Sequence, residues 1–376
     1  MSKDQSAARS LVVFLCGARD FHAMDWFTSA KQTLPGEQLC LLTDLIAGEG
    51  FKKLIQDGDC VYRLIVLDRF LLRYQSSFGN VWRNVLKLLV FPAQVFLLKR
   101  FASQHPGATY FCHSMYYLFL AWAAGVHYVG TPQGSDILVK PYRSRLYKYF
   151  SIKSLQAAAH VTVDSRKMQQ KVLELSGVRA LVIQNGIGVR SIFEYLQSHQ
   201  RVPANERYIL SIRGFHELYR IHAILEARNR SVRFAEVPVA MRYPFYEANY
   251  RAQSLAQAKH FDKDIGRVEA DDVYRTFAEA RLVVAIPRSD SSPKSVYEAI
   301  FCGCPVAIAH HPYFDDLPAC MQARMILVDL ADPQWLDLAI DQADRIRQIR
   351  YEPSPEAIST FDKIESFKTM CTLLFS

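Results

Sequence analysis

The chain has 376 residues, half of them apolar. That is longer than one hydrophobic core usually organises and too apolar for disorder, so two domains of ordinary size are expected. The formal net charge of +8 asks for an anionic partner, whether nucleic acid, phospholipid headgroups or a phosphorylated ligand, and does not choose among them. The first apolar run is interrupted by Arg19 and Asp20 and gives no secretory signal, and the longest one, Leu88 to Leu98, is too short to span a bilayer.

In chain order, short apolar runs end in Gly, Pro, Asn, Asp or Ser and are each followed by a stretch of helical periodicity. The first set is LVVFLCG (11–17), QLCLLTD (38–44), RLIVLD (63–68), TYFCHS (109–114), VHYVGTPQG (126–134), HVTVDS (160–165) and LVIQNG (181–186). Buried strands of a parallel sheet alternating with helices read this way, and they predict a doubly wound domain over 1–200. After the polar stretch Gln197 to Arg207 the rhythm restarts with YILSIRG (208–214), RFAEVPVAM (233–241), RLVVAIPRS (281–289), CPVAIAHH (304–311) and RMILVDL (324–330), predicting a second domain of the same kind over 201–352. An amphipathic helix in 353–376 is expected to pack back across the hinge. The fold class is therefore α/β, with two Rossmann-like domains facing across a cleft lined by the loops after Cys16, Val129, Ile183, Ile212 and Ile286.

The eight cysteines show no C-x-x-C pair and sit in or beside apolar runs, as reduced thiols of a cytoplasmic protein would. Two D-x-D triplets, Asp57-Gly58-Asp59 and Asp262-Lys263-Asp264, read as loop acids, and no metal site is expected.

The densest chemistry lies in PRSDSSPKSVYEAIFCGCP, from Pro287 to Pro305. Ser292 suits an N-cap, Pro293 a first helical position and Gly303 a C-terminal cap. A helix starting there turns unsatisfied N–H groups and a positive dipole toward a strand end, which makes a phosphate site. Lys294 opposes that dipole and makes most sense beside an anion. Glu298 either accepts from ribose hydroxyls or is a surface glutamate paired with Lys294. Asp290 either holds sugar hydroxyls or caps its own turn. Ser291, Ser295 and Val296 belong to the same segment.

Asp290-x7-Glu298, followed by Ala299, Gly303 and Pro305, resembles the E-x7-E signature of retaining GT-B glycosyltransferases, family 4 especially, with Asp in place of the first Glu. HVTVDS and VIQNG resemble elements that end the first domain of that family, and ILSIRG the strand that opens its donor domain. The resemblance implies a pyrophosphate-binding role for Arg213. Leu218 stands where the family has a second cation, leaving Arg220 to supply it. Gln133-Gly134 occupies the position of a His-Gly pair near the sugar's reactive end. It further implies retention of configuration, no metal or other cofactor, and deprotonation of the acceptor by the leaving diphosphate, with Asp290, Lys294 and Arg213 at the reacting groups. Gly17, His113, Gln133, Gly134 and Asn185 would face the acceptor. His113 reads equally as a buried histidine, and Gly17 as an ordinary turn glycine.

The partners implied are a nucleotide-sugar donor and a glycan or lipid-linked acceptor of a bacterial-type surface polysaccharide or lipopolysaccharide. Residues 82–101 and 140–153 mix aromatic and aliphatic side chains with lysine and arginine, as surfaces resting on an anionic bilayer do and as ordinary helices before a buried strand also do. A nucleic-acid binder is disfavoured for want of a recognition motif. An epimerase of the same fold would need acids and histidines that the chain does not display, whereas a non-catalytic scaffold binding a nucleotide sugar or a partner transferase stays open.

Overall fold

The computed structural model describes residues 11–18, 20–44, 54–65, 77–199, 207–268 and 270–376. They form two compact α/β units, Gly186–Asp362 and, around it in sequence, Met1–Asn185 with Lys363–Ser376.

The first unit holds seven parallel strands: β1 (Val12–Leu15), β2 (Leu39–Thr43), β3 (Cys60–Arg63), β4 (Thr109–His113), β5 (Tyr128–Thr131), β6 (His160–Val163) and β7 (Leu181–Val182), in the order β3-β2-β1-β4-β5-β6-β7. The central strands β1, β2, β4 and β5 are buried at every residue, so their sequences are largely apolar, as expected of a sheet covered on both faces, with Thr43, Thr109, His113 and Thr131 the polar residues at their ends. The second unit orders β8 (Ile209–Ser211), β9 (Val239–Arg242), β10 (Lys263–Gly266), β11 (Leu282–Ala285), β12 (Val306–Ile308) and β13 (Met325–Leu327) as β10-β9-β8-β11-β12-β13, again all parallel. Both are doubly wound. The strand order reverses between β1 and β4 in one unit and between β8 and β11 in the other, and ligands of such sheets bind beyond the carboxyl ends of the strands at that point.

Four details depart from the expectations. The helix Val189–Ser198 belongs to the second unit, because Ile187, Val189 and Ile192 pack with Tyr208, Phe277 and Ile300, so the polar stretch near residue 200 is not the joint. The tail divides: Pro355–Phe361 stays with the second unit and Lys363–Leu374 joins the first. The third strand lies at Cys60–Arg63, ahead of the run read as RLIVLD, whose residues 66–68 fall outside the described ones. Cys40 and Cys60, directly opposite on β2 and β3 with Cα atoms 4.7 Å apart, are joined as a disulfide where reduced thiols were expected; the other six cysteines are free. Among the described residues no helix is long and apolar enough to cross a membrane.

Candidate functional site

At the switch point of the second unit, the loop after β8 brings Arg213 and the loop after β11 brings Asp290. A guanidinium N–H of Arg213 donates to the Asp290 carboxylate, and Asp290 Oδ1 accepts the Ser291 N–H at 3.0 Å. Arg220 follows in the left-handed region, at φ 53°, a strained position for a side chain of its size. Its guanidinium donates to the Pro287 carbonyl at 3.0 Å, and the Arg288 N–H donates to the Leu218 carbonyl at 2.7 Å, which stitches the two loops together. Burial pushes the Arg220 pKa down, and the charge of Arg288 pushes it further the same way. The Nε–H groups of both Arg213 and Arg220 are buried without an acceptor among the described residues. Crowded like charges with unsatisfied donors are what a bound anion relieves.

Next to them runs the helix Lys294–Phe301. Its N-cap is Pro293, one residue beyond the expected Ser292, and the Pro293 side chain offers the helix no capping hydrogen bond. The C-terminal end is closed as expected by Gly303 at φ 75°, with the Cys304 N–H donating to Ala299 O at 3.0 Å and the Gly303 N–H to Ile300 O at 2.8 Å, the Schellman arrangement. Pro293 and Val296 are buried, so they can meet a ligand only through backbone; Ser291, Ser295, Lys294 and Glu298 are partly exposed. Burial lowers the Arg242 pKa, and the charge of Glu298 opposes that shift, which places Glu298 near this buried guanidinium.

In the first unit the switch point gathers His113 from the end of β4, Gln133 after β5 and Asp20 after β1. Gln133 Nε2 donates to an Asp20 carboxylate oxygen and lies 3.4 Å from His113 Nε2, which is 3.7 Å from Asp20 Oδ1. His113 is 2% exposed and its Nδ1 is buried without a partner among the described residues. Burial lowers its pKa, opposed by Asp20 and Asp136, so the ring favours its neutral form. The following residue, Ser114, has φ 69° and ψ 150°, a conformation that side chains avoid. Gln133 and Asp136 form a capping box on the helix Gly134–Leu138, and the second Asp136 oxygen ties in Lys140 and Tyr147. Gly17 accepts the Asp20 N–H at 2.8 Å, closing the turn after β1. Asn185 Oδ1 accepts from the buried Trp26 indole at 2.7 Å, so its amide oxygen is committed to packing.

No protein-family description and no curated protein matches the sequence. Solved structures match along its whole length. An α,α-trehalose-phosphate synthase (UDP-forming) from Burkholderia vietnamiensis superposes with TM-score 0.71 at 13% identity, covering 97% of each chain. Sucrose-phosphate synthase from Thermosynechococcus elongatus gives 0.69 at 12%, covering 97% of this chain and 98% of the other. The lipopolysaccharide outer core galactosyltransferase WaaB gives 0.61 at 11%, covering 97% and 99%. The fold is GT-B.

On this GT-B chain Arg213, Arg220 and Asp290 come together in the loops at the second unit's switch point and His113 and Gln133 meet at the first unit's, whereas Asn185 follows the edge strand β7 and accepts from Trp26. Asp20, Asp136, Ser114, Arg242 and Arg288 were not anticipated. Asp20 could have been: it caps the helix Phe21–Thr33 through His22 N and Ala23 N, and an acid before FHAMDWF is an N-cap signal. The others depend on neighbours distant in sequence. Three of the four D-x-D acids are engaged otherwise: Asp59 with Lys31, Asp262 with Arg228 and Asp264 with Arg251.

Proposed function

We propose that this chain transfers a sugar from a nucleotide-sugar donor to a glycan or lipid-linked acceptor, with retention of configuration and without a metal, in assembly of a bacterial-type surface polysaccharide or lipopolysaccharide. The observation that carries the reading is the cationic switch-point site, where Arg213 and Arg220 keep buried Nε–H donors without acceptors among the described residues and bond to Asp290 and Pro287, close in sequence to the N-terminus of Lys294–Phe301. A diphosphate would complete both. In this reading Arg213 and Lys294 stabilise charge on the leaving diphosphate, Asp290 holds the sugar and Glu298 the ribose, while Gly17, His113, Gln133, Gly134 and Asn185 serve the acceptor. Retention and the pathway rest on the Asp290-x7-Glu298 resemblance.

The first unit adds support for a lipid-linked acceptor at the inner face of a membrane. Leu88, Leu89 and Phe96 are exposed on one long helix, and Tyr142, Leu146 and Tyr149 are exposed among Arg143, Arg145 and Lys148. In a reducing cytoplasm the Cys40–Cys60 bond, with Cys60 at the surface, would open to thiols without touching either site.

The test is thermal unfolding of the wild type and Glu298→Ala against UDP, GDP, CMP and their sugar conjugates, without metal. At a hundred times its dissociation constant a ligand stabilises its unit by about 2.7 kcal/mol, a shift of a few degrees. One nucleotide class should stabilise the wild type and lose that effect in the variant. No response from the wild type would leave the scaffold reading in its place.

A further inference from the structure

The loop after β9 carries two aromatic side chains at the surface, Phe245 at 44% and Tyr246 at 59% exposure. The backbone beneath them is nonetheless fixed. The Phe215 N–H donates to the Phe245 carbonyl at 3.2 Å, the Glu247 N–H donates to the Phe215 carbonyl at 2.8 Å, and Phe215 and Tyr246 form a parallel bridge. The loop after β9 is thereby tied to the loop after β8, which bears Arg213.

The rings are held as well. Phe245 lies against Gly214, where a Cβ would come within 2.6 Å of the ring, and its centroid is 6.0 Å from that of Tyr219. Tyr246 stands 6.0 Å from Tyr243, with the Arg251 guanidinium 5.3 Å from its centroid. Tyr219 links this aromatic surface to the anion site, because the Arg213 guanidinium sits 5.7 Å from its ring centre. Rigid rings left in water beside a cluster of guanidinium groups suit a ligand with a flat π face at one end and negative charge at the other.

We propose that Phe245 and Tyr246 are the platform on which the base of the donor nucleotide stacks, and that position 214 is glycine because the Phe245 ring occupies the space of a side chain. This rests on reading Gly186–Asp362 as the donor-binding unit.

The test is calorimetric binding of UDP, GDP, CDP, ADP and inorganic pyrophosphate to the whole protein as wild type, Phe245→Ala, Phe245→Ala/Tyr246→Ala and Phe245→Tyr. A base stacked on an aromatic side chain loses about fivefold to a hundredfold in affinity when that side chain becomes alanine. The preferred nucleoside diphosphate should weaken by that much in the alanine variants, pyrophosphate should bind as before, and Phe245→Tyr should restore affinity. Gly214→Ala should weaken the wild type similarly by displacing the ring, and should add nothing once Phe245 is alanine. Unchanged nucleotide affinity in the double alanine variant overturns the platform alone. Equal weakening of pyrophosphate also overturns it, since the rings would then only brace the loop. A wild type that binds none of the nucleotides overturns the donor reading and the platform together.

Discussion

The most deeply committed charge in the second unit is Arg228, fully buried and paired bidentately with Asp262 through bonds of 2.7 and 2.5 Å. Asp262 also accepts the Val239 and Lys259 N–H groups at 2.7 Å each. Burial pushes the Asp262 pKa up, but the hydrogen bonds from Arg228, Val239 and Lys259 outweigh it, and the net shift is downward. A carboxyl depressed in the folded state stabilises above its unfolded value, about 3.9, and that contribution fades as pH falls through the folded value. Asp262→Ala leaves a buried guanidinium without its counterion and should cost about 3–5 kcal/mol in urea unfolding of the second unit. It should also remove part of that unit's acid sensitivity below about pH 4. None of this was legible in Asp262-Lys263-Asp264, because the deciding partner is remote in sequence. The helix Lys294–Phe301 and its Gly303 cap were legible because loop, helix start and helix cap follow one another in a single stretch. The contact of Phe245 with Gly214 escaped because only the pairing of β8 with β9 brings their loops together.

Among elements, the long helix Ser77–Gln104 has two faces of opposite character. Leu98, Phe101 and Gln94 are buried, while Leu88 is 73% exposed and Leu89 71%. Leaving a leucine in water rather than in an apolar phase forgoes about 1.5–3 kcal/mol. Leu88→Glu/Leu89→Glu should therefore reduce co-sedimentation with phosphatidylglycerol vesicles by more than about tenfold, while leaving the fold and nucleotide binding intact. Equal co-sedimentation of both forms would sink the membrane-surface reading. Central strands were legible as unbroken apolar runs. The edge strand β10 was not: its first two residues, Lys263 and Asp264, are exposed, and an edge needs little apolar surface to be held by one neighbour. The helix Val189–Ser198 was legible as a helix but assigned to the wrong unit, since amphipathic periodicity reveals a buried face without naming what buries it.

At the scale of the molecule, the chain leaves the first unit after Asn185 and returns after Asp362. Ile187 and Asp362 form a parallel bridge, and the Ile187 N–H donates to Phe361 O at 2.7 Å. The returning helix Lys363–Leu374 buries Phe367, Met370 and Leu374 in the core that holds Phe14 and Trp26. Losing three such side chains at about 2–5 kcal/mol each approaches the whole stability of a domain. A chain ending at Asp362 should keep the nucleotide response of the second unit and lose the cooperative melting of the first, read as one calorimetric transition in place of two.

The same interruption sets an order of assembly during synthesis. Everything the second unit requires has been made once Asp362 is added. Phe14 and Trp26, among the earliest core residues of the first unit to be made, must wait through the whole of the second unit for Phe367 to cover them. The half begun first is completed last, and in that interval its uncovered flank is the surface most exposed to chaperones or to mispairing with a neighbouring nascent chain.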